Sequence, residues 1–118
     1  MQRAPGGSAP HEVLAAALAR SQSELQEAAA GQALCRIDGS GGPTPFFVKR
    51  AEGARAALVD VRRAVRHDAA LSVADAARNV LEAWRAELAG WRARGSGPWV
   101  AYSEGGCAAV EALLDDLG

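Results

Sequence analysis

Two glutamates, Glu52 and Glu104, form the most suggestive chemical pattern in this sequence. Each precedes a glycine, and the segments around them match, with AEGxxAAL at 51–58 against SEGxxAAV at 103–110. If a twofold relation brings the two carboxylates together, they can share a proton or, with other oxygen ligands, hold a divalent cation. The simpler interpretation is structural, because a glutamate early in a helix stabilises the positive end of the helix dipole by about 0.3–1 kcal/mol.

The glycines beside these glutamates also need an explanation. Gly53, Gly105 and Gly106 lie in segments with helical periodicity, where each glycine costs about 1 kcal/mol relative to alanine. Close approach of a neighbouring helix would offset that cost. We therefore predict tight helix packing at these positions, with large aromatic rings lying over the flat surfaces.

No catalytic or metal-binding constellation accompanies the glutamate pair. The two histidines, His11 and His67, fall near predicted helix ends, and neither belongs to the Glu-x-x-His element of di-iron bundles. Cys35 and Cys107 are far apart and form no Cys-x-x-Cys or Cys/His cluster. We interpret both cysteines as small core residues, with a disulfide or a reactive thiol as alternatives. The sequence thus predicts no catalytic residue, no metal ligand and no cofactor, and it favours a binding protein over an enzyme without excluding the latter.

The glycine-rich run 38–42, DGSGG, is flexible enough to wrap a phosphate. It lacks the Gly-Lys-Ser/Thr ending of a P-loop and the G-x-G-x-x-G pattern of dinucleotide folds, and no strand precedes it. We interpret it as part of a loop between two helices.

Four segments have the hydrophobic spacing of amphipathic helices. The first two are expected from His11 to about Leu34 and from about Phe47 to His67. Ser72, with an acidic residue three positions on, is an N-cap pattern for a third helix that ends near Arg94. Ser103 is a candidate N-cap for a short fourth helix. Residues 1–10, which are rich in glycine and proline, are expected to form a flexible tail.

Short connections between four helices predict an all-α fold, most economically an up-down four-helix bundle. An internal repeat supports this architecture. RxxGSG at 36–41 matches RxxGSG at 92–97, each followed by a proline and an aromatic residue. We predict a single domain over 11–118, built from tandem helical hairpins at 11–67 and 71–118 that are related by pseudo-twofold symmetry.

Composition excludes several classes of protein. The chain has 118 residues, 13 basic and 14 acidic side chains, and a formal net charge of −1. That balance argues against a general polyanion binder, so nucleic acid is an unfavoured partner. No apolar run is long enough to span a bilayer or to act as a signal peptide, which predicts a cytoplasmic protein without a membrane partner. Hydrophobic residues make up 49% of the chain and nearly half of them are alanine, which predicts a thin core.

The charges are unevenly distributed along the chain. Basic residues crowd the second helix, and the fourth helix carries four acids and no base. We expect the two helices to match each other's charge, with a basic nucleic-acid face on the second helix as the alternative. Asp115 and Asp116 lie at a helix end that disfavours anions, so an arginine from the second helix, the third helix or another subunit should compensate them.

Aromatic residues concentrate in the third helix and just after it. Trp84, Trp91, Trp99 and Tyr102 would be core residues by default. If Trp99 or Tyr102 were exposed beside the arginines of that region, the same residues would form an anchor for a partner protein.

These observations predict a protein–protein interaction or regulatory module that binds a protein partner or self-associates, for example as a homodimer. The alternative is a bundle, even an enzyme, that binds a small molecule or metal through the Glu52 and Glu104 pair with Arg55 or Tyr102 nearby. The candidate ligand or interaction residues are therefore Glu52, Glu104, Arg55, Trp99 and Tyr102.

Overall fold

A computed structural model describes residues 8–38 and 46–118, with side chains described over 9–33 and 46–118. It contains four helices: α1 Ser8–Asp38, α2 Phe47–His67, α3 Val73–Arg94 and α4 Gly97–Leu117. The described ranges hold no strand, which confirms the all-helical prediction. Most of the glycine-rich segment, most of the predicted tail and the side chain of Cys35 lie outside the described residues. So do residues 39–41, the second half of the first RxxGSG segment.

The first helix is longer than its periodicity indicates. It begins at Ser8, inside the segment predicted to be a tail, and continues to Asp38. Proline is compatible with a first helical turn because the amide groups there have no intrahelical acceptor. Pro10 therefore does not delay the start of α1. No glycine or proline follows Gly31 until Gly39, which allows the helix to pass the predicted end at Leu34.

The fourth helix begins at Gly97, six residues before the predicted cap, so the prediction that Ser103 caps α4 is wrong. Gly95 ends α3 with a left-handed φ of 72°, and Pro98 lies in the first turn of α4. The Gly-Ser-Gly-Pro segment thus ends one helix and starts the next within a few residues. Ser103 lies inside α4 and is 2% exposed.

The caps of α3 and α4 provide a matched pair for a stability test. The Oγ of Ser72 accepts a hydrogen bond from the backbone N–H of Asp75 at 3.0 Å, whereas the side chain of Ser96 caps nothing. We expect Ser72→Ala to lower the free energy of unfolding by about 1 kcal/mol, and Ser96→Ala by a few tenths at most. Urea denaturation followed by circular dichroism measures both, and equal losses would contradict this assignment of the caps.

The core is thin, as the composition predicts. Its most deeply buried side chains are small or medium-sized, and the largest of the fully buried ones are Leu113, Val61 and Val110. The pair α2 and α4 shares the most extensive contact, followed by α3 with α4 and α1 with α2. Helix α1 makes little contact with α3 or α4. None of the four described helices has an apolar stretch long enough to cross a membrane.

Helices α2 and α4 approach closely at two glycines, which confirms the predicted tight packing. A Cβ atom at Gly53 would overlap the backbone carbonyl of Tyr102, and one at Gly105 would overlap the carbonyl of Arg50. The contact is reciprocal, because each glycine meets the residue that lies three positions before the other glycine. Only glycine permits two backbones to come this close.

Candidate functional site

Four aromatic side chains from α3 and α4 form a continuous row. Tyr102 stacks on Trp84 with ring centroids 5.3 Å apart, and it meets the ring of Trp99 edge-on at 5.2 Å. Trp99 in turn stacks on Trp91 at 5.6 Å. Residues seven apart on α3 and three apart on α4 share a helix face, so the two pairs can interleave. We call Trp84, Tyr102, Trp99 and Trp91 the aromatic row.

The inner end of the row, Trp84 on α3, is anchored to both α2 and α4. Trp84 is partly buried, and its Nε1 donates a hydrogen bond to Oδ2 of Asp60 on α2 at 2.9 Å. The ring of Trp84 lies on Gly106 of α4, where any Cβ atom would overlap it. This contact confirms that an aromatic ring covers one of the glycine surfaces. Trp84 therefore fixes the position of Tyr102, and through Tyr102 that of Trp99.

The outer end of the row reaches solvent. Among the described residues, Phe46 and Trp99 are the large hydrophobic side chains that stay exposed, at 44% and 41%. The Nζ of Lys49 lies 5.1 Å from the centroid of Trp99, and the guanidinium of Arg94 lies 4.9 Å from that of Trp91. Both are cation–π distances. We call Phe46, Lys49, Trp91, Arg94 and Trp99 the aromatic end.

Phe46 is held in an unusual backbone conformation at this end. Its φ of 68° is in the left-handed region, which costs a residue other than glycine about 1–3 kcal/mol. A Cβ atom at Gly97 would fall 2.8 Å from Cε2 of Phe46, so the exposed ring rests against the start of α4. Phe46, directly before α2, thereby contacts the start of α4 at the aromatic end.

The two glutamates singled out by the sequence engage different cations. Oε1 of Glu52 lies 3.2 Å from Nζ of Lys49, three residues earlier on α2. The two oxygens of Glu104 pair with Arg50 at 2.8 Å and with Arg92 at 3.0 Å. Glu104 therefore links α4 to both α2 and α3. In the part of the chain that the structure describes, no group of three or more His, Cys, Asp or Glu side chains is arranged to hold a metal ion.

Three of the four acids of α4 form ion pairs within the chain, and no ion pair among the described residues includes the fourth, Asp115. Besides the pairs of Glu104, Glu111 pairs with Arg85 of α3 at 2.7 Å, and Asp116 pairs with Arg20 at 3.5 Å. The arginine that compensates Asp116 belongs to α1, which corrects the expectation of an arginine from α2, α3 or another subunit. All of these side chains are substantially exposed, so each pair contributes about 1 kcal/mol or less.

The remaining sequence candidates are Arg55 and the cysteines. Arg55 is half-buried on α2, and no ion pair among the described residues includes it. Cys107 is a free, buried thiol in the core, as predicted. Burial raises its pKa, chiefly by desolvation, and Glu111 adds to the effect while Arg85 opposes it. A thiol with a raised pKa is a poor nucleophile at neutral pH.

Tyr102 has a perturbed pKa that can be measured without interference, because it is the only tyrosine in the chain. Desolvation raises its pKa above 10.0, the charges of Asp60 and Glu52 raise it further, and Lys49 opposes them. The folded state therefore binds the phenolic proton more tightly than the unfolded state. The resulting stabilisation is fully present below the unfolded-state pKa and is lost as the pH rises through the folded-state pKa.

We expect an absorbance titration to show the phenolate forming at higher pH in the folded protein than in urea. Tyr102→Phe has no phenolic proton to lose. The free energy of unfolding of this variant should therefore fall less than that of the unchanged protein as the pH rises through the folded-state pKa of Tyr102. Identical titration midpoints in the two states would contradict the burial and the charge environment described for Tyr102.

Sequence reasoning missed two residues that shape this region: Lys49 and Asp60. Lys49 carries a weak signal, since it lies within three residues of an aromatic side chain along the chain. No motif indicates Asp60, because its bond to Trp84 depends on how α2 and α3 are placed, and periodicity does not determine that placement.

The described residues form several grooves, two of which border α1. One, of about 900 Å³, runs between α1 and the α2–α4 pair over a floor of alanines and glycines, with Arg20, Glu24 and Glu27 among its lining residues. The other, of about 590 Å³, lies between α1 and the second half of α2.

Comparison of the chain with protein-family models, with curated proteins and with solved structures found no match.

Proposed function

We propose that this protein is a regulatory module that acts by protein–protein interaction, and that its aromatic end is the surface that binds the partner. The observation that carries the proposal is Trp99, a large ring that stays 41% exposed although three neighbouring side chains hold it in place. Tryptophan and arginine are the residue types that contribute most binding energy at protein interfaces.

The anchoring of Trp99 supports this function because an ordered ring loses little conformational entropy on binding. Tyr102 and Trp91 contact it on two sides, and the row continues to the partly buried hydrogen bond between Trp84 and Asp60. The exposed ring of Phe46 extends the apolar surface at the same end. The aromatic end is thus a preformed surface.

The charges at this end indicate the chemistry of the partner. Arg94 covers the face of Trp91, and none of the ion pairs in the described ranges engages it. A protein segment that combines an apolar side chain with acidic neighbours complements such a surface. The proposal also includes binding to a second copy of the chain. A symmetric dimer through this surface would, however, bring cationic groups of the two copies together.

The architecture we propose is the up-down four-helix bundle of two tandem hairpins, located in the cytoplasm. The reciprocal contacts of Gly53 and Gly105 support the pseudo-twofold relation between the hairpins, because such symmetry requires paired contacts of this kind. In this arrangement the first residues of α2 and of α4 lie at the same end of the bundle.

Substitution of Trp99 tests the function. The partner protein is first recovered on a tagged form of the chain. We expect Trp99→Ala to weaken binding to this partner by about 2 kcal/mol, which is roughly 30-fold, because a central aromatic anchor is removed. Asn79→Ala, on an exposed position of α3 that is 12 residues from Trp91, is the control and should bind like the unchanged protein. The affinities are measured by calorimetry with the partner recovered on tagged protein, and by sedimentation for self-association. Equal affinities of the two variants would exclude the aromatic end as the binding surface.

A further inference from the structure

The groove between α1 and the second half of α2 has the composition of a ligand site. It has a volume of about 590 Å³ and is lined by His11, Leu14, Ala15, Leu18, Arg62, Val65, Arg66 and Ala69. Small-molecule sites usually occupy about 300–1,000 Å³. Arg62 is 13 residues beyond Lys49 on the same helix, about 20 Å along its axis, so this groove is separate from the aromatic end.

The floor of the groove is apolar. Leu14 is 4% exposed and belongs to the core, and Leu18 and Val65 are partly buried against it. These side chains offer an apolar strip to a ligand that lies along the groove. Each methylene group of an alkyl chain that becomes fully buried on such a strip tightens binding by up to about fourfold.

The rim of the groove is cationic. Arg62 and Arg66 are one helical turn apart, so their side chains emerge on the same face of α2. No acidic residue lines the groove, and neither arginine takes part in an ion pair among the described residues. The arginines of α1, α2 and α3 that face α4 are, by contrast, paired with its acids.

We propose that this groove binds a small amphipathic carboxylate, a molecule with one carboxylate head and a short unbranched apolar tail. The head binds Arg62 and Arg66, because the planar guanidinium group matches a carboxylate with two parallel hydrogen bonds. The tail lies on Leu14, Leu18 and Val65. A metal cation is repelled by this rim, and a ligand without a tail leaves the apolar floor uncovered.

Octanoate, below its micelle concentration, is the probe for this site. Titration calorimetry with the full chain should show saturable binding of octanoate. Acetate, which lacks the tail, and octanol, which lacks the charge, should each bind at least tenfold more weakly. Arg62→Gln combined with Arg66→Gln should weaken octanoate binding at least tenfold. Arg63→Gln, an exposed arginine between them that does not line the groove, should leave the affinity within twofold of the unchanged protein.

Circular dichroism melts of the variants establish that each is folded before the affinities are compared. The proposal is overturned if octanoate does not bind, if acetate or octanol binds as tightly as octanoate, or if the double variant and Arg63→Gln have the same affinity.

Discussion

Replacing Gly53 or Gly105 with alanine is expected to lower the free energy of unfolding by about 3 kcal/mol for each substitution. The added Cβ atom would overlap a backbone carbonyl of the facing helix, and a backbone cannot move aside as a flexible side chain can. The helices α2 and α4 must then separate, and they share the most extensive contact in the protein. Urea unfolding followed by circular dichroism measures the loss.

Gly90→Ala is the matched control for these two substitutions. Gly90 also lies inside a helix, but a Cβ atom there meets nothing within 4 Å. Alanine should stabilise α3 by up to about 1 kcal/mol through its higher helix propensity. Stabilisation by alanine at all three positions would show that α2 and α4 do not approach as closely as described.

Replacing Trp84 with alanine is expected to lower the free energy of unfolding by about 3–5 kcal/mol, as large aromatic deletions in packed regions do. The indole donates to Asp60 of α2, stacks on Tyr102 and covers Gly106 of α4. Its removal opens a cavity between three helices at once. Thermal and urea unfolding should both report the loss.

Trp84→Phe separates the two contributions of this side chain. Phenylalanine keeps most of the ring contact with Tyr102 and Gly106, but it leaves the carboxylate of Asp60 without the indole N–H. We expect a loss of about 1–3 kcal/mol, the usual consequence of removing one partner of a partly buried hydrogen bond to a charged group. A loss as large as that of Trp84→Ala would mean that the hydrogen bond dominates and that the packing contributes little.

The row of rings connects these stability effects to the proposed function. Tyr102 lies between Trp84 and Trp99, so a change at the buried end of the row reaches the exposed ring through one side chain. Trp84→Phe should therefore preserve partner binding better than Trp84→Ala does when both variants are compared in their folded states.

The helical character of the chain could be predicted from periodicity, and the bounds of α2 and α3 agree closely with that prediction. Their ends carry strong local signals, such as the Ser72 cap and Gly95. The start of α4 was mispredicted because Ser103 has the chemistry of a cap while Pro98 is equally suited to a first turn. Local preference alone does not choose between two such starts.

The close approach at Gly53 and Gly105 could also be predicted, since glycine inside a helix requires a compensating contact. The partners of the two glutamates could not. Whether Glu104 meets Glu52 or Arg50 and Arg92 depends on the crossing of three helices, and hydrophobic spacing determines the faces of helices but not their neighbours. The same limit applies to Trp99. Hydrophobic spacing is compatible both with a buried Trp99 in the core and with an exposed one, because it does not determine which helix covers the ring.

The most direct test of the central claim is crosslinking from the aromatic end inside the source cell. A photoreactive benzoylphenylalanine at position 46, which keeps Trp99 and replaces one exposed ring of the aromatic end by another, should form a discrete adduct with a protein partner or with a second copy of the chain. The same residue at the exposed position 79 of α3, 12 residues from Trp91, should form none of that adduct. Crosslinking to the same protein from both positions, or no adduct from position 46, would contradict the claim that the aromatic end binds the partner.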